Sequence, residues 1–376
     1  MSTESPLDDH WMQRALTEAK AGYPSPNPHV GAVVAAGETL VAVGHHERAG
    51  EDHAEVAALK AAGGGAKGAT LYVTLEPCNH EGRTGPCTQA ILRAGIKRVV
   101  IGCADPNPNV QGGGIDFLRA NGVEVIIGPW TRDAEKAIAP WTKFVTLGLP
   151  YVSLKLALSL DGRIATRTGA SRWVTGPEAR ARVHTLRAEH DACAVGIGTA
   201  LTDDPRLTVR DAPGLSPVRV VFDTKLRLPT SSKLAQTAKT SPTWVIAGTD
   251  APTSVEDQLV DLGLEIVRVH QTAEGRVDLR SALERLASLG IVSMMVEGGA
   301  ELAGSFLAGR FADDLHAFVA PTLFGPRGRP GAVDWAGPDV PEQAPRLIEP
   351  TWELCGDDAH VFGLIDYEGI AERAER

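Results

Sequence analysis

His53-Ala54-Glu55 and, further along the chain, Pro77-Cys78-Asn79-His80 and Pro86-Cys87 carry the side chains best suited to hold a transition metal. One imidazole and two thiolates suit zinc, and three protein ligands leave a fourth position for water. His53 and Cys87 each stand where a helix is expected to open, and the partial positive charge of a helix N-terminus favours a thiolate. Glu55 lies two residues from His53 and has no cationic partner close in sequence. A carboxylate placed there can take a proton from water and pass it to a departing nitrogen. Zinc brings the pKa of bound water toward neutrality, so the set predicts hydrolytic chemistry at physiological pH. The competing reading is a closed structural zinc site completed by His80 or Cys103. Structural sites favour short cysteine spacing, whereas eight residues separate Cys78 from Cys87.

The second half carries a different constellation. Lys155 and Ala157 sit in an apolar run, Ser171-Arg172-Trp173 follows a polar turn, and Arg187 lies in a helical stretch. Gly196-Ile197-Gly198-Thr199 leads on to Asp203, Leu207 and Arg210, and Glu297-Gly298-Gly299 joins an apolar run to a helical one. Glycine-rich strand-to-helix turns let backbone amides approach a phosphate. Guanidinium groups such as Arg187 and Arg210 can clamp one bidentately. Neither turn completes G-x-G-x-x-G, because position 201 is Leu and position 301 is Glu, so a Rossmann fingerprint is absent.

The elements that must position these residues alternate. In the first half, strands are expected at 30–36, 39–44, 70–75, 98–103 and 123–127, and helices at 7–21, 53–62, 87–94, 113–121 and 131–147. Gly148-Leu149-Pro150 marks a boundary. Beyond it strands are expected at 151–158, 192–197, 218–222, 243–247, 264–269 and 292–296. Helices are expected at 176–189, 254–262, 279–289 and 300–308, and 326–345, rich in Gly and Pro, reads as irregular. This alternation implies α/β architecture, with largely parallel sheets between helical layers.

Composition narrows the partners. A chain of 376 residues predicts two domains. With 37 basic against 47 acidic residues the net charge is −10, which argues against nucleic-acid binding. No apolar run is long enough for a membrane span. The opening Met1-Ser2-Thr3-Glu4-Ser5-Pro6 lacks the features of a secretory signal, and the cysteine count of five is odd. Both point to a reducing cytoplasm, in which clustered cysteines bind metal or catalyse.

The H-x-E and P-C pattern is the zinc deaminase signature. The long Pro-Cys-x8-Cys spacing, with Gly82-Arg83-Thr84 inside it, resembles the pyrimidine deaminase of riboflavin biosynthesis. Pro26-Asn27-Pro28-His29, Gly44-His45-His46 and Asp105-Pro106-Asn107-Pro108 fit that branch. The second-half motifs resemble the reductase domain that follows this deaminase in bifunctional bacterial enzymes. The resemblance implies a cytidine-deaminase-like three-layer domain over 1–148 and a dihydrofolate-reductase-like domain over 149–376, which explains NADPH use without the Rossmann fingerprint. It implies that His53, Cys78 and Cys87 hold Zn2+, that Glu55 shuttles protons, and that Asn27, His45 and His80 face the substrate. In the reductase it assigns Lys155, Ser171, Arg187, Leu207, Arg210 and Glu297 to the substrate. It assigns Ala157, Trp173, Thr199, Asp203, Thr224, and Gly299, Ala300, Glu301, Leu302, Ala303, Gly304 and Ser305 to NADPH. A small phosphorylated pyrimidine substrate, a homo-oligomer and a cytoplasmic location follow from the same resemblance. Two other readings stand beside it: a nucleic-acid base deaminase with an accessory domain, against which the acidic charge weighs, and a non-catalytic nucleotide sensor built on a structural zinc.

Overall fold

The computed structural model describes residues 6–368 except 82–84, 109–112, 129, 326 and 328–330. The Gly82-Arg83-Thr84 motif lies outside the described residues. The chain divides into two compact units, Met1–Leu149 and Pro150–Arg376.

In the first unit the order is α1 (Pro6–Glu18), β1 (Gly31–Ala36), β2 (Thr39–His45), α2 (Ala54–Ala62), β3 (Thr70–Leu75), α3 (Cys87–Ala94), β4 (Arg98–Cys103), α4 (Gly114–Ala120), β5 (Glu124–Ile127) and α5 (Thr131–Leu147). The five strands form one sheet in the order β2-β1-β3-β4-β5. β1 runs antiparallel to β2 and β3, and β3, β4 and β5 are mutually parallel. Successive strand residues point to opposite faces. Ala32, Val34, Leu71, Val73, Val99 and Ile101 therefore meet Ala58, Ile91 and Leu118 from α2, α3 and α4. Val33, Ala35, Tyr72 and Val100 meet Trp11, Met12 and Ala15 of α1. Gly44 sets the seat of α2. A Cβ at that position would lie 2.4 Å from the Ala58 nitrogen and 2.5 Å from the Ala54 oxygen, so only glycine lets the helix backbone rest on β2.

The second unit contains β6 (Tyr151–Ser159), α6 (Pro177–Ala188), β7 (Ala192–Gly196), α7 (Ile197–Asp203), β8 (Val218–Phe222), α8 (Lys233–Gln236), β9 (Thr243–Gly248), α9 (Thr253–Asp261), β10 (Glu265–Val269), α10 (Leu279–Ser288), β11 (Ser293–Glu297), α11 (Ala300–Ala308), β12 (Asp314–Ala320), β13 (Arg346–Cys355) and β14 (Asp358–Asp366). Its sheet has nine strands in the order β10-β9-β8-β7-β11-β6-β12-β14-β13. From β10 to β12 the pairing is parallel; β14 runs antiparallel to both β12 and β13. One face buries Val195, Val221, Val245, Met295 and Phe318 against Ala179, Val183 and Leu186 of α6 and Leu259 of α9.

The sequence pattern misses β12, β13 and β14. β13 carries Pro350 within a register shift between Ile348 and Thr351, and most of its residues are exposed, so the apolar alternation that marks a half-buried strand is lost. β12 contains a buried histidine, His316, in place of an apolar residue.

Candidate functional site

The metal-ligand candidates come from three elements of the first unit. His53 is the extended residue that caps α2, with φ −68° and ψ 159°. Cys78 lies in the segment that leaves β3, and Cys87 is the first residue of α3, behind Pro86 at the cap. The Cys87 N–H points at the Cys78 sulfur at 3.4 Å. The His53 Nδ1 lies 3.5 Å from the Cys78 Sγ and 3.3 Å from the Cys87 Sγ. A tetrahedral zinc with bonds of about 2.0–2.3 Å separates such nitrogen and sulfur donors by about 3.5 Å, so the three side chains fit the ion as they stand. The two thiols are pulled in opposite directions. The bond from Cys87 holds Cys78 well below the usual thiol range, at about 4, while that bond and burial push Cys87 up.

Glu55 sits in the first turn of α2, 4 % exposed. Burial raises its carboxyl to about 7, against the pull of neighbouring His53. A carboxyl poised near neutrality can both accept and return a proton.

A cavity of about 380 Å³ opens over these groups, lined by Asn27, His46, His53, Glu55, Cys78, His80, Asp105, Asn107 and Trp141 among others. That volume suits a small ligand. Asn27 and His80 thus stand beside the metal-ligand set. His45 does not line this cavity: its Nε2 bonds the Glu47 carboxylate at 2.9 Å, and its Nδ1 lies 3.9 Å from Glu18. His46, the residue just past the end of β2, is the histidine that lines the cavity. His46 Nε2 lies 2.9 Å from the Asn27 amide nitrogen, and its Nδ1 lies 2.9 Å from the Asp52 carbonyl. Strand alternation applied to the Gly44-His45-His46 motif carried the signal. Glu76, also missed from sequence, accepts the backbone N–H of Asp105 at 3.2 Å and of Ile115 at 3.1 Å, tying down the segment that presents Asp105 and Asn107.

In the second unit the candidates gather at the carboxyl ends of the central parallel strands, where open α/β sheets bind ligands. Lys155 on β6 is the register neighbour of Glu297 on β11. Both Glu297 oxygens accept from Arg187, Oε2 from Nη2 at 2.8 Å and Oε1 from Nε, and the Cys193 thiol donates to Oε1 at 3.0 Å. Burial opposes the Glu297 charge, but the Arg187 guanidinium and then Lys155 outweigh it and bring the carboxyl down to about 2. Burial likewise pushes the Lys155 ammonium down, opposed by Glu297. His184 Nδ1 lies 3.3 Å from Arg187 Nη1, and Arg210 Nη2 lies 3.5 Å from the other ring nitrogen. Burial and the two guanidinium groups hold His184 toward its neutral form, and Asp211 lies 3.2 Å from its Nε2; Arg210 beside Arg187 brings the positive charge that suits an anionic group. Leu207, at φ +54°, has its side chain buried in the apolar core beside α6.

The glycine turns lie side by side because β7 pairs with β11. Gly298 and Gly299 have φ +74° and +83°, and a Cβ at Gly299 would stand 3.1 Å from the Thr199 Oγ1. The bare backbone there leaves a cradle that a side chain would fill, which fits a cofactor phosphate. Ala300 to Ser305 continue from it as α11. Ser171 donates to Asp203 at 2.9 Å, and Arg172 reaches the Asp203 carbonyl. Trp173 is 70 % exposed, with the Arg180 guanidinium 4.6 Å from its ring centre. Ala157 is half-buried near the end of β6. Thr224 follows β8; its hydroxyl accepts from Val277 N–H at 3.2 Å, and its carbonyl accepts from Gly248.

Known proteins share this pairing of sites. Residues 5–103 match the cytidine and deoxycytidylate deaminase zinc-binding region, and residues 150–361 match the RibD C-terminal domain. The riboflavin biosynthesis protein RibD of Aquifex aeolicus is 44 % identical over 322 residues, covering 85 % of this chain and 88 % of its own. The chain belongs to the RibD family. The RibD of Escherichia coli strain K12 is 39 % identical over 337 residues, 86 % of this chain and 90 % of its own. Among solved structures, Acinetobacter baumannii RibD in form 1 aligns with a TM-score of 0.84 at 36 % identity, covering 96 % of this chain and 99 % of that one. A Thermotoga maritima deaminase/reductase aligns at 0.81 with 34 % identity, over 95 % and 98 %. As a RibD family member, the chain combines a cytidine-deaminase-like fold with a dihydrofolate-reductase-like one. None of its described helices is long and apolar enough to cross a membrane.

Proposed function

We infer that this RibD family chain is a bifunctional enzyme of riboflavin biosynthesis, with a deaminase in residues 1–148 and a reductase in residues 149–376. The first reaction is hydrolytic deamination of 2,5-diamino-6-(5-phosphoribosylamino)pyrimidin-4(3H)-one to 5-amino-6-(5-phosphoribosylamino)uracil. The second reduces the ribosyl group to ribityl. The observation that carries the reading is the convergence of His53, Cys78 and Cys87 beside a buried, near-neutral Glu55, with His53, Cys78 and Glu55 lining one cavity.

Zinc held by His53, Cys78 and Cys87 supplies Lewis acidity at neutral pH. Glu55 takes the proton of the attacking water on its carboxylate and returns it to the exocyclic nitrogen that leaves as ammonia. Asn27 and His46, bonded to one another, orient the pyrimidine from one wall, with His80 and Asn107 on the cavity lining. In the reductase NADPH supplies the reducing equivalent, and the Gly298-Gly299 turn, Thr199, Asp203 and Trp173 bind it. Arg187, Arg210 and His184 hold the anionic end of the substrate. Lys155 faces the sugar as the proton donor to its ring oxygen, and Glu297 keeps Lys155 and Arg187 in place.

The enzyme works in the cytoplasm as a homo-oligomer. Edge strand β13 supports the second point, because it exposes Trp352 and Leu354 at 69 % and 79 %. Unpaired, apolar sheet edges favour pairing with a second copy. Light scattering on the purified protein reads this directly.

Purified protein given the diamino-pyrimidinone phosphate and NADPH tests the two reactions, with ammonia release and NADPH absorbance followed together. Zinc-loaded protein is expected to release ammonia and then consume NADPH, and chelated protein to do neither from this substrate. Ammonia release without NADPH loss would overturn the reductase assignment.

A further inference from the structure

Outside these sites, the β13–β14 hairpin gathers Glu353, Cys355 and His360. Glu353 lies opposite His360 and Cys355 opposite Asp358 across the antiparallel pair, which turns at Gly356 with φ +65°. Alternate residues of a strand share a face, so Glu353 and Cys355 stand together on the face that carries His360. One donor atom from each of the three lies within 4.8 Å of the others. His360 is fully buried, with its Nδ1 2.7 Å from the Glu353 carboxylate and its Nε2 3.1 Å from His316 Nδ1. Its ring stacks on Phe318 at 4.2 Å and on Phe362 at 4.8 Å between centroids. An imidazole locked by packing, bonded at one nitrogen and aimed with the other at a carboxylate, with a thiol within 4.8 Å of both, has the arrangement of a metal-ligating histidine.

We propose that Glu353, Cys355 and His360 form a second transition-metal site, of the zinc class, on the β13–β14 hairpin. The donor set is one imidazole nitrogen, one thiolate and one carboxylate oxygen, a mixture that selects a borderline-soft divalent ion. To bind, Cys355 gives its proton to solvent. His360 and His316 exchange tautomers, so that His360 donates from Nε2 to His316 and frees Nδ1 for the ion. The exchange places the His316 proton on Nε2, which faces the Asp314 carboxylate at 3.9 Å. The gap between His360 and Glu353 must widen from 2.7 Å to about 3.3 Å, which the partly exposed Glu353 side chain can supply. Arg182, whose Nε lies 3.9 Å from Glu353, also bonds Glu189 at 3.2 Å and so keeps a carboxylate when Glu353 turns to the ion. Asp358 stays outside the donor set because its carboxylate holds the Gly176 N–H at 2.6 Å. With one thiolate where the His53 site has two, this site binds the softer ions more weakly.

The test uses untagged, full-length, metal-stripped protein titrated with Co2+. Calorimetry counts the equivalents, and the thiolate-to-cobalt charge-transfer band reports sulfur ligation. The expected result is two equivalents per chain, the second weaker. Cys355→Ser and Glu353→Gln should each abolish the second equivalent while leaving the first and the rate of ammonia release unchanged. Cys78→Ser should weaken the first and spare the second. A single equivalent in the unsubstituted protein, or a second that persists in both Cys355→Ser and Glu353→Gln, would overturn the proposal.

Discussion

The Arg187–Glu297 pair lends itself to a double-substitution cycle that separates its part in folding from its part in reduction. Its side chains are 12 % and 9 % exposed, and two parallel hydrogen bonds join them. Replacing Glu297 by Leu strands the buried guanidinium, and replacing Arg187 by Met strands the buried carboxylate. Breaking such a pair costs about 3–5 kcal/mol, because the charge left behind is desolvated without compensation. In a unit of this size each kcal/mol moves the midpoint by about 2–4 °C, so each single variant should lower the second unit's melting transition by about 6–20 °C. The double variant removes both charges of the pair and should recover part of that loss, since apolar replacement of a buried pair is often close to neutral, while buried Lys155 is left without its carboxylate neighbour. Reductase turnover should vanish in all three variants, whereas ammonia release should persist. The pH profile has a defined sign. The folded Glu297 carboxyl, at about 2, lies below its ordinary value of 4.5, so the pair's contribution is complete above pH 4.5 and is lost as the pH falls toward 2. Glu297→Leu should flatten that part of the acid limb. Scanning calorimetry at several pH values, with both turnover assays, reads every quantity. Single variants that melt within about 2 °C of the unsubstituted protein, or a double variant no more stable than either single one, would refute the reasoning.

Glu55→Gln should keep its metal, by elemental analysis, yet lose ammonia release by about 10²–10⁴-fold, the usual yield of a positioned acid-base group. His46→Ala should cut deaminase kcat/KM by about tenfold or more, the worth of a positioned hydrogen bond, whereas His45→Ala should stay within about twofold in the same steady-state assay. Gly44→Ala should push α2 off β2, costing about 1–3 kcal/mol in denaturant melts and lowering zinc retention on dialysis against a chelator.

The deaminase ligands were legible in the sequence because their chemistry is carried by residue type: few side chains bind zinc, and His53 and Cys87 stand at helix starts that the Ala-rich and proline-led runs announce. Orientation was less legible. Choosing between His45 and His46 depends on where a strand ends, and a shift of one residue exchanges the two faces. Glu76 looks like any carboxylate until the fold brings Asp105 and Ile115 to it. Leu207 carries no sign in its neighbours of the left-handed backbone that turns it into the core. The parallel strands show themselves by continuous apolar runs, but β13 pairs at an edge, exposed, with a proline and a shifted register, so hydropathy says little about it. The hairpin's histidine and cysteine were invisible as a set for the same reason.

Glu76 has a consequence for how the deaminase can change. Its one carboxylate grips the chain at Asp105 and again at Ile115, so two positions ten residues apart are joined through a single side chain. The entropy of closing a loop grows only with the logarithm of its length, and here the anchoring is done by a side chain that follows β3, close to the Cys78 ligand. A change of chain length between the two anchors therefore costs little in closure entropy, whereas Gly114 is fixed, because a Cβ there would stand 2.0 Å from the Pro77 oxygen beside the Cys78 ligand. The length of chain between the anchors is thus an exchangeable part: substrate preference can be rewritten there while Glu76 keeps its two ends in place.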